Sequence, residues 1–156
     1  MTADRRPEEV LARLGIELPE VAPDSYYANY RRSAAGPTHL SGQLPSVDGE
    51  VQTLGSLGKE VDVETARELM KIATINALAV AAEAVGGLDN LRILHLLVFV
   101  ASTPDFKGQS DVADAGSALL VEILGEHGRH ARTAFGVSSL PRTSPLEVQL
   151  IVEARS

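Results

Sequence analysis

The nine residues LEVQLIVEA, 146–154, constrain this chain more than any other stretch. Leu146, Val148, Leu150 and Val152 alternate with Glu147, Gln149, Ile151 and Glu153, a period of two. That period predicts a β-strand with one face on a core and one face turned away from it. The chain must therefore build a sheet with one apolar side and find a layer to cover it.

The covering layer is legible upstream. DVETARELMKIATINALAVAAEAVGG reads as a long helix, with Asp62 and Glu64 near its start and Gly86-Gly87 at its end. Leu69, Ile72, Ala73, Asn76, Val80 and Ala84 recur at helical spacing, and the many alanines predict close packing on a flat surface. SDVADAGSALLVEILGEHG reads as a second helix, with Ser110 as its N-cap. Between them LRILHLLVFVAS is too apolar for an edge strand and is assigned to the sheet interior. ARTAFGVSS adds another strand, and Tyr27–Arg32 with Thr38–Ser41 form a hairpin around AAGP. VDGEVQTLGSLG reads as a turn and a weak strand. RPEEVLARLG is a short amphipathic helix, with Pro7 in its first turn and Gly15 at its stop. The expectation is an α+β fold: a mixed β-sheet with two main helices packed on one face, plus a short N-terminal helix. Residues 1–25 form an N-terminal helix and arm, and 26–156 the main domain. A chain of 156 residues has no spare layer for the other sheet face, which predicts self-association there.

Charge and composition exclude several classes. The net charge is −7, without a basic cluster, which argues against nucleic acid as a partner. Without cysteine there is no disulfide frame and no thiolate metal site. The start MTADRRPEEV lacks the apolar core of a secretory signal. The most apolar stretch carries Arg92 and His95 and falls short of the roughly 20 residues a membrane helix needs. A cytoplasmic protein with no membrane partner is expected. His127 and His130 have the H-x-x-H spacing, but Gly128 interrupts the helix and no third ligand is evident, so no metal is expected.

HARTAFGVSSLP, 130–141, holds the residue that most needs explaining. Arg132 stands at the mouth of a core strand, where an arginine is costly unless an anion pairs with it. The anion is either a protein carboxylate, such as Glu147 or Glu153, or a substrate.

SGQLP (41–45), VFVASTPDF (98–106) and ARTAFGVSSLP followed by PLEVQLIVEA resemble, in this order, the RidA/YjgF family of reactive-intermediate deaminases, also called L-PSP endoribonucleases. The resemblance runs from about Tyr30 to Ala154 and is strongest with the longer branch that carries an N-terminal extension. It implies a chorismate-mutase-like fold and a homotrimer with clefts between subunits. It also implies hydrolysis of 2-imino acids to 2-keto acids and ammonia, without cofactor or metal. Residue by residue, it places a carboxylate-binding role on Arg132 and a water-activating role on Glu147. Ser41 completes the catalytic set, and Tyr30, with Tyr26 and Tyr27 as alternatives, joins the substrate pocket. Ala134 stands where the family often has cysteine and contributes backbone only. Asp114 stands on a helix where the family commonly has asparagine. Two other readings share the fold: a non-catalytic trimer that binds small keto or amino acids, and, ranked last, an endoribonuclease or translation inhibitor.

One geometric expectation follows from pairing 131–138 with 146–154 as a hairpin. Arg132 would then lie across from about Val152 and Glu147 across from about Val137, roughly 17 Å apart along the strand at about 3.3 Å per residue. Both could serve one pocket only from different subunits.

Overall fold

The computed structural model describes residues 6–156; the first five residues of the expected arm lie outside the described residues. The elements run α1 (Pro7–Leu14), β1 (Tyr30–Arg32), β2 (Thr38–Leu40), β3 (Ser46–Val47), β4 (Glu50–Val51), α2 (Val63–Val85), β5 (Leu91–Ala101), α3 (Gln109–Leu124), β6 (Ala131–Val137) and β7 (Leu146–Ala154). Five strands form one mixed sheet in the order β1-β2-β7-β5-β6, and β3 and β4 form a separate two-stranded ribbon around Asp48-Gly49. The architecture is the expected α+β one.

The alternation in β7 is realised in full. Leu146, Val148, Leu150 and Val152 are buried, while Glu147, Gln149, Ile151 and Glu153 stay partly exposed. Strand β5 contributes Leu96, Val98 and Val100 to the same buried face. Helices α2 and α3 cover that face. Asp62 caps α2, accepting from the Thr65 N–H at 2.7 Å, and Gly86 ends it with φ 80. The buried part of α2 is displaced from the expected stripe: Leu69, Ala73 and Val80 are buried, Ile72, Asn76 and Ala84 only partly so, and Met70, Thr74, Ala77, Leu78 and Ala81 are buried instead, because α2 packs against α3 as well as the sheet. At that crossing Gly116 of α3 lies so close to Met70 and Thr74 that a Cβ would collide with both. The N-cap of α3 is Gly108, so Ser110 sits inside the first turn rather than at the cap. Val10 and Leu11 of α1 are buried in the same core as the two long helices.

The hairpin expected between 131–138 and 146–154 does not form. Strand β5 lies between β6 and β7, parallel to β6 and antiparallel to β7. The physical reason is the β5-α3-β6 succession, since a strand, a crossover helix and a returning strand pair in parallel. The register therefore changes. Arg132 is level with Leu96, and Glu147 is level with Phe99.

Candidate functional site

Register assigns each side chain to a face. Leu96 pairs with both Arg132 and Leu150, so these three stand on the helix-covered face. Phe99 pairs with both Phe135 and Glu147, so these stand on the opposite, uncovered face. The Phe99 and Phe135 rings meet edge to face with centroids 4.8 Å apart, and Phe135 remains exposed.

Arg132 sits on edge strand β6 where it looks toward α3. Its Nη1 donates to Asp114 Oδ1 at 2.7 Å and to Ser117 Oγ at 3.2 Å. Both hydrogens of Nη1 are thereby used. No hydrogen bond engages Nε or Nη2 among the described residues. The side chain is 25% exposed, and the Nε–Nη2 edge is the one geometrically suited to a bidentate carboxylate. Neither Glu147 nor Glu153 is the protein partner; Glu153 pairs with Arg92 at 3.2 Å instead.

Glu147 is half-buried beside the aromatic pair and accepts no hydrogen bond from the described residues. Burial raises its pKa above the ordinary carboxylate range. Gly42 makes room for it, because a Cβ at Gly42 would fall on the Glu147 carboxylate. The segment is held in place by Gln43, whose backbone exchanges hydrogen bonds with Val148 at 2.7 and 2.9 Å. Nothing in the sequence SGQLP marks this; that the glycine faces a carboxylate is a property of the fold. Gly42→Ala is expected to displace the Glu147 carboxylate while the fold survives, since the far end of a flexible side chain gives way. The check is retained thermal stability together with loss of any Glu147-dependent activity.

The raised pKa has a stability consequence. The folded chain holds the Glu147 proton more tightly than the unfolded chain does. The group's contribution is thus fully present below the unfolded pKa and is lost as pH rises through the folded one. Glu147→Gln is expected to raise the thermal midpoint at neutral pH, with the gain fading as pH falls into the ordinary carboxylate range. An unchanged midpoint at neutral pH would show that the carboxylate has a compensating partner in the assembled protein.

The remaining predicted residues fall around these two. Ser41 Oγ donates to the Ala28 carbonyl at 2.7 Å, and its N–H donates to the Asn29 carbonyl at 2.8 Å. Ser41 thereby ties the SGQLP loop to the segment that carries Tyr26 and Tyr27, both strongly exposed. Tyr30 pairs with Leu40, a core residue, and packs against the helix-covered side. Ala134 also faces the core, on strand β6, whose outer edge has no strand partner among the described residues. Within one chain the structure brings together Glu147, Gly42 and, by chain continuity, Ser41. It does not bring Arg132 to them. Both ring nitrogens of His130 are engaged, Nδ1 with the Gly128 carbonyl at 2.6 Å and Nε2 with Ser117 Oγ at 3.0 Å. Among the described residues no group of three or more metal-binding side chains converges, and no helix is long and apolar enough to cross a membrane.

Comparison with known proteins agrees with this fold. A family profile described as "YjgF/chorismate mutase-like, putative endoribonuclease" matches residues 8–154. Protein TCP17 of Trypanosoma cruzi is 38% identical over 156 residues, covering 98% of this chain and 97% of that protein. The crystal structure of Atu1372 from Agrobacterium tumefaciens, a protein of unknown function, is 37% identical, with a TM-score of 0.86 over 95% of this chain and 92% of that one. A structure from Shewanella oneidensis described as a putative endoribonuclease is 32% identical, with a TM-score of 0.89 over 96% of this chain and 99% of that one. Sequence motifs, sheet order and these relatives lead to one assignment: the chain belongs to the YjgF/chorismate mutase-like family.

Proposed function

We propose that the protein hydrolyses 2-imino acids to 2-keto acids and ammonia in clefts between the subunits of a homotrimer. The observation that carries this reading is the division of labour between two side chains on opposite sheet faces. Among the described residues, Arg132 has an unused guanidinium edge, and Glu147 has a half-buried carboxylate without a hydrogen-bond donor. The uncovered face that holds Glu147 needs a partner surface, and a second copy supplies one together with its Arg132.

The chemistry follows from these groups. Arg132 holds the substrate carboxylate through Nε and Nη2. Glu147 takes a proton from a water as the water oxygen bonds to the imine carbon, giving a carbinolamine. That proton completes the amine of the carbinolamine; Glu147 then carries the hydroxyl proton to the same nitrogen, the carbon–nitrogen bond breaks, and ammonia leaves as the carbonyl forms. A carboxylate whose pKa is raised by burial is better matched to both transfers than an ordinary one. Ser41, tied to the Ala28 carbonyl, anchors the loop next to Gly42 and Glu147 to the segment that carries the exposed Tyr26 and Tyr27.

The test is ammonia release from 2-iminobutanoate generated in situ by an amino acid oxidase. Acceleration over the buffer rate is expected, and none would refute the catalytic reading. A trimer that only binds would take up 2-oxobutanoate without accelerating ammonia release. An RNA-directed reading is opposed by the net charge of −7.

Arg132→Lys is expected to weaken 2-oxobutanoate binding by about tenfold or more, because lysine keeps the charge and loses the fork. Calorimetry on the folded variant checks this. Unchanged affinity would leave Arg132 with a purely structural role opposite Asp114.

A further inference from the structure

We propose that Ser117 and His130 are positioning residues for Arg132, and that they determine which edge of its guanidinium is left free for an anion. The inference deepens the reading of Arg132 as a carboxylate anchor and rests on it for its functional meaning.

Hydrogen-bond direction carries the argument. The Gly128 carbonyl can only accept, so His130 Nδ1, 2.6 Å away, carries a hydrogen. Burial, reinforced by the nearby Arg132 and His95, pushes the His130 pKa down and favours the neutral ring. Nε2 then has only a lone pair to offer, and Ser117 Oγ, 3.0 Å away, must donate to it. Having given up its one hydrogen, the Ser117 oxygen turns its remaining lone pairs to Arg132 Nη1 at 3.2 Å. The chain runs one way, from Arg132 through Ser117 and His130 to the Gly128 carbonyl. Bonds aligned in this manner reinforce one another.

The far end of the chain is fixed by packing. Gly128 lies so close to the α3 backbone that a Cβ would collide with the Leu120 carbonyl. The acceptor that sets the His130 tautomer is therefore pinned to the same helix that carries Ser117. Asp114 plays a different part. It takes the second Nη1 hydrogen from a side chain that is 57% exposed, supplying charge without a rigid mount. Ser117 is the contact with a built-in direction. Together they fill Nη1 and present Nε with Nη2, the edge suited to a bidentate carboxylate.

The test uses the full-length protein at neutral pH and has two readouts. The first is ligand-free ¹⁵N NMR of the Arg132 guanidinium and of the His130 ring. The parent should show hindered rotation about Cζ–Nη1 and a hydrogen on Nδ1 of His130. Ser117→Ala should free the rotation, and Ser117→Thr, which keeps the hydroxyl, should restore it. The second readout is 2-oxobutanoate affinity, expected to fall about fivefold to tenfold in Ser117→Ala and to recover in Ser117→Thr. Ser117→Ala with a guanidinium as restrained as in the parent overturns the inference, as does a proton on Nε2 in place of Nδ1. A relay present by NMR in a protein that takes up no 2-oxobutanoate would support the positioning geometry and sink the anchor reading separately.

Discussion

Glu147→Gln is expected to slow imine hydrolysis by about 10²-fold or more, the scale of a lost general base, while leaving 2-oxobutanoate binding intact. Glutamine keeps the size of the side chain and one acceptor oxygen, so it still fits the space that Gly42 leaves. It cannot take a proton from water. The stability effect points the other way: the parent pays for burying an ionised carboxylate at neutral pH, and the variant does not. Slower turnover in a protein that is more stable and still binds keto acid cannot be attributed to unfolding. Arg132→Lys supplies the contrast, with binding lost first. Full activity in Glu147→Gln would move the proton acceptor elsewhere, and Ser41, tied to the Ala28 carbonyl, would be the next group to test.

The fold was largely legible because its strongest signals are local. The alternation of β7 and the capped length of α2 each follow from a period and a stop residue. The misreading lay in the pairing of β6, whose existence as a strand is borne out. Only residues 138–145 separate it from β7, a length that suits a hairpin. In the structure this segment instead crosses the end of β5, using positive φ angles at Arg142 and Thr143 (59° and 56°) and an Arg142 contact to the Gly49 carbonyl at 2.7 Å. The correcting signal was present: a strand too apolar for an edge needs two neighbours, and strand-helix-strand order makes one of them parallel.

The site was legible only in part, for a related reason. Arg132 and Glu147 are charges in places where charges are costly, which a sequence can reveal. Gly42, Ser117 and His130 carry no such mark. A glycine in SGQLP, a serine within a helix and a histidine before a strand all have ordinary readings. Their parts emerge from close approach to Glu147, Arg132 and Gly128, and close approach is a property of the fold.

Mixing subunits should restore activity to two inactive proteins, Arg132→Ala and Glu147→Gln. The observed strand order, not a β6–β7 hairpin, separates the two residues. Arg132 and Glu147 lie on strands either side of β5 and three residues apart along it. Two strand spacings of about 4.8 Å and a stagger of three residues at about 3.3 Å put their backbones about 14 Å apart. Their side chains, moreover, leave the sheet on opposite faces. A three- or four-carbon imino acid cannot touch both within one chain. In a cyclic trimer, each cleft would draw Arg132 from one chain and Glu147 from the next. Neither variant alone assembles an intact cleft, whereas every mixed trimer contains one. Random assembly from equal amounts should therefore recover about a quarter of parental activity. Differently tagged chains, co-expressed and purified through both tags, isolate the mixed trimers. If those verified mixtures stayed as inactive as either variant, both residues would have to act within one chain, and the face assignment would have to give way to a rearrangement on assembly.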